Sequence, residues 1–287
     1  MLNLWQPLAH LPLGLALLTA LLLGVVHGVT PDEHTWPITF SYAIGSYSTR
    51  RGLAAGLMFS ASFTLQRAIA SELAYLSLAR WLASPRVDAV VYLVVGAAMA
   101  VAGVHVLRGR APWRFSLPDP GENRAAGTIP LPMAALHGFI AGWGVGAFAT
   151  ILYTVLAPAM PSAATGWLPG LFFGLGTMVV QAGAGAAFGW WSRRRGISEV
   201  AGQLVAARVA GRTLAFGGLA FLGAGLLTLT APGVANLAVV TPLKVHNLHS
   251  LGLGFVLAVG VVLGIGVVSL ITETRRALRA PRAVGVR

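Results

Sequence analysis

Long apolar stretches separated by short polar segments run along the whole chain. Seven of them are long enough to be transmembrane helices, since about 20 apolar residues cross the hydrocarbon core of a bilayer. We predict spans at residues 8–30, 52–78, 87–107, 131–157, 168–191, 212–230 and 250–272. A β-barrel would require alternating segments of about 10 residues, and the sequence shows none. The pattern predicts an all-α, polytopic integral membrane protein.

Composition agrees with this class. The 287 residues are 56% hydrophobic and 10% charged, whereas soluble domains carry about 25% charged residues. The net charge is +12, but the arginines lie in short segments between the apolar runs, so we expect no nucleic-acid partner. The absence of cysteine excludes disulfides and thiolate metal sites. The first apolar run lacks a basic segment before it, so we expect it to be retained as a span.

The basic residues are distributed unevenly between the two sides of the predicted membrane. Segments 31–51, 108–130 and 192–211, the edge residue Arg212 and the tail after residue 272 hold 16 of the 20 basic residues. Cytoplasmic loops are enriched in arginine and lysine. We therefore expect the N-terminus outside and the C-terminus in the cytoplasm of the plasma (inner) membrane, which requires an odd number of spans.

Two sets of three spans resemble each other and indicate an internal repeat. We predict a first three-helix repeat at 1–107, a cytoplasmic linker at 108–130, a second repeat at 131–230, and a seventh helix with a basic tail at 231–287. An odd number of spans per repeat gives the two repeats opposite topology, and such inverted repeats place a site at their junction near the midplane. Three pairs of motifs carry the similarity: His27-Gly28 with His137-Gly138, Gly52 to Gly56 with Gly170 to Gly174, and Gln66 with Gln181.

Ionisable side chains cluster where the first apolar run ends. His27, Asp32, Glu33 and His34 fall within eight residues, with Pro31 among them. Polar groups at membrane depth are costly, so each needs a partner or a water-filled cavity. Imidazole and carboxylate together suit divalent transition metals. Purely structural roles are the alternatives to a metal site. His27 could donate a hydrogen bond to a neighbouring carbonyl, and the acidic residues could cap a following helix.

Other polar residues lie inside predicted spans. Arg67 and Glu72 either pair with each other or snorkel near an interface, or they line the same cavity as the His27 region. We predict His27, Asp32, His34 and His137 as metal ligands. The groups that surround these ligands or form a proton path are predicted to be Glu33, Gln66, Arg67, Glu72 and Gln181.

The stretch from His27 to His34 resembles the nickel/cobalt permease family and its relatives among nickel/cobalt exporters and urease-accessory membrane proteins. That family carries His, four residues, Asp and His in an early span, followed by a basic loop. His27 and Asp32 match this spacing, and Glu33 is interposed before His34. Residues 48–51, Ser-Thr-Arg-Arg, resemble the basic loop. The whole chain is more loosely similar to the lysine-exporter-like superfamily, which is built from three-helix repeats.

We expect a transporter rather than an enzyme, with no tightly bound cofactor. Its cargo would be a divalent metal cation such as nickel or cobalt, taken up or exported through a His/carboxylate site between the repeats. Without a nucleotide-binding loop, energy would come from an ion gradient or a partner chain. Three alternatives stay open: a transporter of a small organic or anionic solute with Arg67 as anion partner, a membrane enzyme with a metal centre, and a non-transporting membrane subunit. The sequence is compatible with a homo-oligomer or a partner membrane subunit.

Overall fold

The computed structural model shows a helical protein, which confirms the predicted all-α class. It describes residues 11–30, 33, 35–45, 49–82, 84–108, 131–144, 146–194, 199–242 and 250–279. Within these residues the α-helices are α1 Leu13–Val29, α2 Trp36–Gly45, α3 Thr49–Leu73, α4 Ala79–Leu82, α5 Pro85–Leu107, α6 Leu131–Ala141, α7 Ala147–Ile151, α8 Ala163–Gly166, α9 Leu168–Arg193, α10 Glu199–Thr230, α11 Pro232–Ala235, α12 Leu253–Val259 and α13 Val268–Arg279. Three π-helical segments are π1 Ala74–Leu78, π2 Leu152–Leu156 and π3 Gly260–Val267. Strands β1 Val239–Val240 and β2 Ser250–Leu251 pair antiparallel.

Local sequence explains where several helices begin and end. α5 starts after Ser84, whose hydroxyl accepts a hydrogen bond from the Val87 amide at 3.4 Å, and Pro85 occupies its first position. α1 ends at Val29, and Thr30 takes an extended conformation with φ −77° and ψ 148°. That conformation is favoured for a residue that precedes proline. The kink within π1 falls at Ser77, a non-glycine residue with φ 74°.

Five described stretches are long and apolar enough to cross a membrane. They are Leu53–Leu82, Pro85–Leu107, Ala163–Ala184, Ala201–Thr230 and Leu253–Arg279. Two shorter apolar helices, α1 and α6, precede the first and third of these. Large apolar side chains such as Val179 and Leu219 are exposed on the outside of the bundle, as expected for helices that face lipid. The chain is therefore an integral membrane protein; the count of seven spans stays a prediction.

Three details differ from the predicted spans. The predicted span 131–157 is interrupted, because α6 ends at Ala141 and α7 begins at Ala147. Residues 36–45, predicted as part of a polar loop, form α2. Residues 199–211, predicted as part of the basic segment 192–211 between two spans, belong to the 32-residue α10. That segment contains no proline, and helix formers such as alanine and leucine let the membrane helix continue into it.

The long helices pack in a regular pattern of pairs. The most extensive contacts join α5 to α10 and α3 to α9, followed by α1 with α9 and α3 with α6. Small residues permit this proximity: a Cβ at Gly96 on α5 would meet the Gly218 carbonyl of α10 at 2.8 Å. Lipid supplies no hydrophobic drive between helices, so close backbone approach is how membrane helices gain packing energy. The pattern brings the segments before and after residues 108–130 face to face.

Candidate functional site

Two short helices end inside the bundle, and each carries a histidine near its C-terminal end. α1 ends at Val29, two residues after His27, and the next helix starts at Trp36. α6 ends at Ala141, four residues after His137, and the next starts at Ala147. The last carbonyls of a helix lack intrahelical partners and carry its negative dipole end. Both ends therefore direct carbonyl dipoles into the bundle, where they favour a positive charge.

His27 lies where the two halves of the chain meet. Its side chain is 2% exposed, and its ring lies 5.9 Å from Phe63 and 5.1 Å from Phe173, between centroids. The ring of Phe148, just after the break that follows α6, lies 6.2 Å away, edge-on. His27 is thus enclosed by aromatic rings from α3, α7 and α9.

Main-chain groups around His27 are held by hydrogen bonds. The Thr177 hydroxyl donates to the Gly24 carbonyl at 3.1 Å, from α9 to α1. The Trp36 indole donates to the Gly28 carbonyl at 3.4 Å. The Thr30 hydroxyl donates to the His27 carbonyl at 3.3 Å. These bonds fix the end of α1 against α9 and α2, and so fix the position of the imidazole.

His137 is also fully buried, but it occupies a different environment. Its Nδ1 lies 2.7 Å from the hydroxyl of Tyr42 on α2, so this bond also joins the two halves. Phe63 stacks on both His27 and Phe59, with 6.3 Å between the two phenyl centroids. A Cβ at Gly138 would overlap the Phe59 carbonyl. The structure therefore buries both imidazoles in different surroundings, His27 among aromatic rings and His137 beside the Tyr42 hydroxyl.

The predicted ligand set is only partly described. Asp32 and His34 lie outside the described residues. Among the described residues, no group of three or more His, Cys, Asp and Glu side chains is placed to hold a metal ion. Glu33 is 5% exposed and accepts a hydrogen bond from the Tyr92 hydroxyl at 3.3 Å. The same carboxylate lies against Gly254 of α12, where an added Cβ would be 2.7 Å from it. Glu33 therefore contacts both α5, through Tyr92, and α12.

Arg67 is buried in the middle of α3, at 1% exposure. Its guanidinium donates to the Tyr153 hydroxyl at 2.7 Å and to the Gly144 carbonyl at 3.0 Å. Its Cζ lies 4.7 Å from the centroid of Phe63 and 5.5 Å from that of Phe173, the same two rings that contact His27. The charge therefore sits in an aromatic enclosure at the break between α6 and α7.

The alternative in which Arg67 pairs with Glu72 is wrong. Within the described residues Arg67 forms no salt bridge, and its guanidinium bonds to Tyr153 and Gly144 instead. Residues five apart on an α-helix point about 140° away from each other, because one turn takes 3.6 residues. Glu72 lies instead beside Gly166, where a Cβ would meet its Oε2 at 2.5 Å.

The two predicted glutamines are buried at the contact between the halves. Gln181 accepts a hydrogen bond from the Ser60 hydroxyl at 3.0 Å, and a Cβ at Gly142 would overlap the side-chain oxygen of Gln66. Within the described part of the chain, both amide atoms of Gln66 and Nε2 of Gln181 make no hydrogen bond. Unsatisfied buried amides cost about 1–3 kcal/mol each, so these groups leave an uncompensated free-energy cost where the two halves meet.

Several residues that shape the site were not predicted. Tyr42 and Tyr153 supply hydroxyl partners to His137 and Arg67, and Phe148 closes the His27 enclosure. On α3, buried polar residues recur at spacings of three and four, which is one face of a helix. That face is formed by Ser60, Thr64, Arg67 and Ser71. This periodicity is visible in the sequence and would have identified the polar face.

Comparison with known proteins gave no relatives: no family model, curated protein or solved structure matches the chain.

Proposed function

We propose that the protein is a secondary transporter of a divalent transition-metal cation such as nickel or cobalt. The observation that carries the proposal is the position of His27. It is a buried imidazole at the C-terminal end of α1, enclosed by residues from both halves of the chain. Asp32 and His34 follow it within seven residues. Imidazole and carboxylate ligands together suit a first-row divalent cation.

The electrostatics of the two helix ends support a cation at the end of α1. At the second break, the Gly144 carbonyl receives the guanidinium of Arg67, so the protein itself supplies a cation there. At the first break, the end of α1 is followed by a segment with the carboxylates of Asp32 and Glu33. Discontinuous helices of transporters coordinate cations with such C-terminal ends. We infer that the cargo occupies the break after α1 in the way that Arg67 occupies the break after α6.

The packing pattern supports two inverted three-helix repeats. Suppose that α1, α3 and α5 of the first repeat correspond to α6, α9 and α10 of the second. Exchanging the two repeats then converts the contact of α1 with α9 into the contact of α6 with α3. The contacts of α3 with α9 and of α5 with α10 map onto themselves. All four are the most extensive contacts in the bundle. With α1 and α6 counted as spans, the chain crosses the membrane seven times, with the N-terminus outside and the C-terminus in the cytoplasm.

A second candidate cargo is a small organic or anionic solute, favoured by the isolation of Arg67. An arginine stays charged in proteins, and within the described residues no carboxylate lies within salt-bridge distance of it. Both residues contact the rings of Phe63 and Phe173, so the Arg67 Cζ lies no more than about 11 Å from the centroid of the His27 ring. At an effective dielectric constant near 20, a divalent cation beside that ring is repelled by at least about 3 kcal/mol. The carboxylates of 32–33 must offset this repulsion if the cargo is a metal.

Flux into sealed vesicles that contain the purified chain distinguishes these candidates. We expect flux of nickel, cobalt, zinc or manganese ions with the wild-type chain and with Arg67→Gln, and its loss in His27→Ala. Transport of small carboxylates or oxyanions that is lost in Arg67→Gln would establish the second candidate instead. No flux of any cargo by the folded wild-type chain would favour a non-transporting subunit and contradict the proposal.

A further inference from the structure

A cluster of four charged side chains joins α10 to α13, far along the chain from the candidate transport site. Glu273 has a side chain that is 1% exposed and accepts hydrogen bonds from Arg208 at 3.0 Å, and from Arg212 and Arg276 at 2.8 Å each. The three arginine side chains are 55%, 32% and 64% exposed. One carboxylate therefore faces three guanidinium groups, and the cluster keeps a net charge of about +2.

Most of the hydrogen-bond donors of these arginines have no partner among the described residues. A guanidinium carries five N–H donors in a fixed fork. In the described part of the chain, Arg208, Arg212 and Arg276 each make a single side-chain hydrogen bond, to Glu273. The fork matches the oxygens of a phosphate in bidentate geometry. Glu273 thus holds three guanidinium groups near one another while leaving donors for a further anion.

Helix length indicates that the cluster lies near the depth of the lipid headgroups. α10 has 32 residues and is about 48 Å long, so roughly 18 Å of it extends beyond a hydrocarbon core of about 30 Å. The exposed apolar residues Leu204, one turn before Arg208, and Leu278, next to the cluster on α13, face outward. Just after the preceding helix α9, the guanidinium of Arg194 lies 4.2 Å from the ring of Trp190. Tryptophan and arginine are typical of the membrane interface.

We propose that Arg208, Arg212 and Arg276, oriented by Glu273, bind the phosphate of an anionic phospholipid in the adjacent leaflet. This goes beyond the proposed transport activity and does not depend on it. A lipid phosphate is favoured over free phosphate because exposed leucines on both helices flank the arginines, where acyl chains would lie. Basic pockets between helices at the cytoplasmic face recognise anionic headgroups in this way.

The test uses the full chain in neutral detergent with added lipid. Phosphatidylglycerol should raise the unfolding temperature by about 5 °C at saturating concentration, with a much smaller rise from phosphatidylcholine. Free glycerol phosphate at the same concentration should have little effect. Equal shifts from the two lipids, or an equal shift from glycerol phosphate, would overturn the proposal.

A matched pair of double variants separates a site from general attraction. Arg208→Gln with Arg276→Gln should lose most of the phosphatidylglycerol shift. Arg275→Gln with Arg279→Gln removes the same charge from exposed positions of α13 and should retain it. Equal losses in the two variants would overturn the proposal. Native mass spectrometry of the wild-type chain tests it without any variant: phosphatidylglycerol should be retained in preference to phosphatidylcholine, and equal retention would contradict the site.

Discussion

The seam between α1 and α9 supports a sharp test of the packing around His27. A Cβ at Gly24 would overlap the main-chain carbonyl of Phe173. Because this neighbour is backbone rather than a flexible side chain, the two helices must move apart in Gly24→Ala. Overpacking costs about 1–3 kcal/mol, whereas alanine in place of glycine within a helix gains about 0.5–1 kcal/mol. We expect a net loss of roughly 1–2 kcal/mol in the free energy of unfolding.

Thermal unfolding of the detergent-solubilised protein measures this loss. In chains of similar size, each kcal/mol lost from the free energy of unfolding lowers the unfolding temperature by about 2–4 °C. Gly24→Ala should therefore unfold about 2–8 °C below the wild type. Gly14→Ala is the matched control, because Gly14 lies on the same helix and a Cβ added there would have no neighbouring atom within 4 Å. Its unfolding temperature should stay the same or rise. Equal stability of the two variants would refute the close approach of α1 to α9.

Three further predictions concern hydrogen bonds. Tyr42→Phe leaves His137 Nδ1 without its partner at 2.7 Å and should lower stability by about 1–2 kcal/mol; an unchanged unfolding temperature would contradict this bond. Lysine in Arg67→Lys cannot span both acceptors of the guanidinium. A double-mutant cycle with Tyr153→Phe should give a coupling energy of about 0.6–1.7 kcal/mol. Strictly additive losses of stability would show that the two side chains do not interact. Glu273→Gln weakens three charge-assisted hydrogen bonds. Amide hydrogen exchange should therefore accelerate in α13 and not in α5. An equal change of the exchange rate in both helices would argue against a role of Glu273 in docking α13.

The class of fold and most helix positions follow from the sequence because apolar runs of membrane length are typical of transmembrane helices. The interruption after α6 was missed for a physical reason. Gly142, Gly144 and Gly146 count as apolar in a hydropathy window, yet glycine lets the backbone leave the helix. The extension of α10 was missed because Arg208 and Arg212 resemble loop residues. Their compensation comes from Glu273, more than 60 residues away, and local patterns carry no such information.

The sequence also identified residues of the candidate site more reliably than their partners. His27, His137 and Arg67 were predicted inside the bundle, and the structure buries each of them. Their neighbours come from distant segments: Phe148 and Phe173 for His27, and Tyr42 for His137. Which rings surround a buried charge depends on how helices cross, and spacing along one helix does not determine that.

The most direct test of the central claim is metal flux in sealed vesicles for two histidine variants. His105 is the matched control, because its Nδ1 contacts the Val101 carbonyl of its own helix at 2.8 Å, away from the enclosure of His27. Loss of a metal ligand should reduce flux at least about tenfold in His27→Ala, while His105→Ala should transport at the wild-type rate. Wild-type flux in His27→Ala would contradict a cation site at the end of α1.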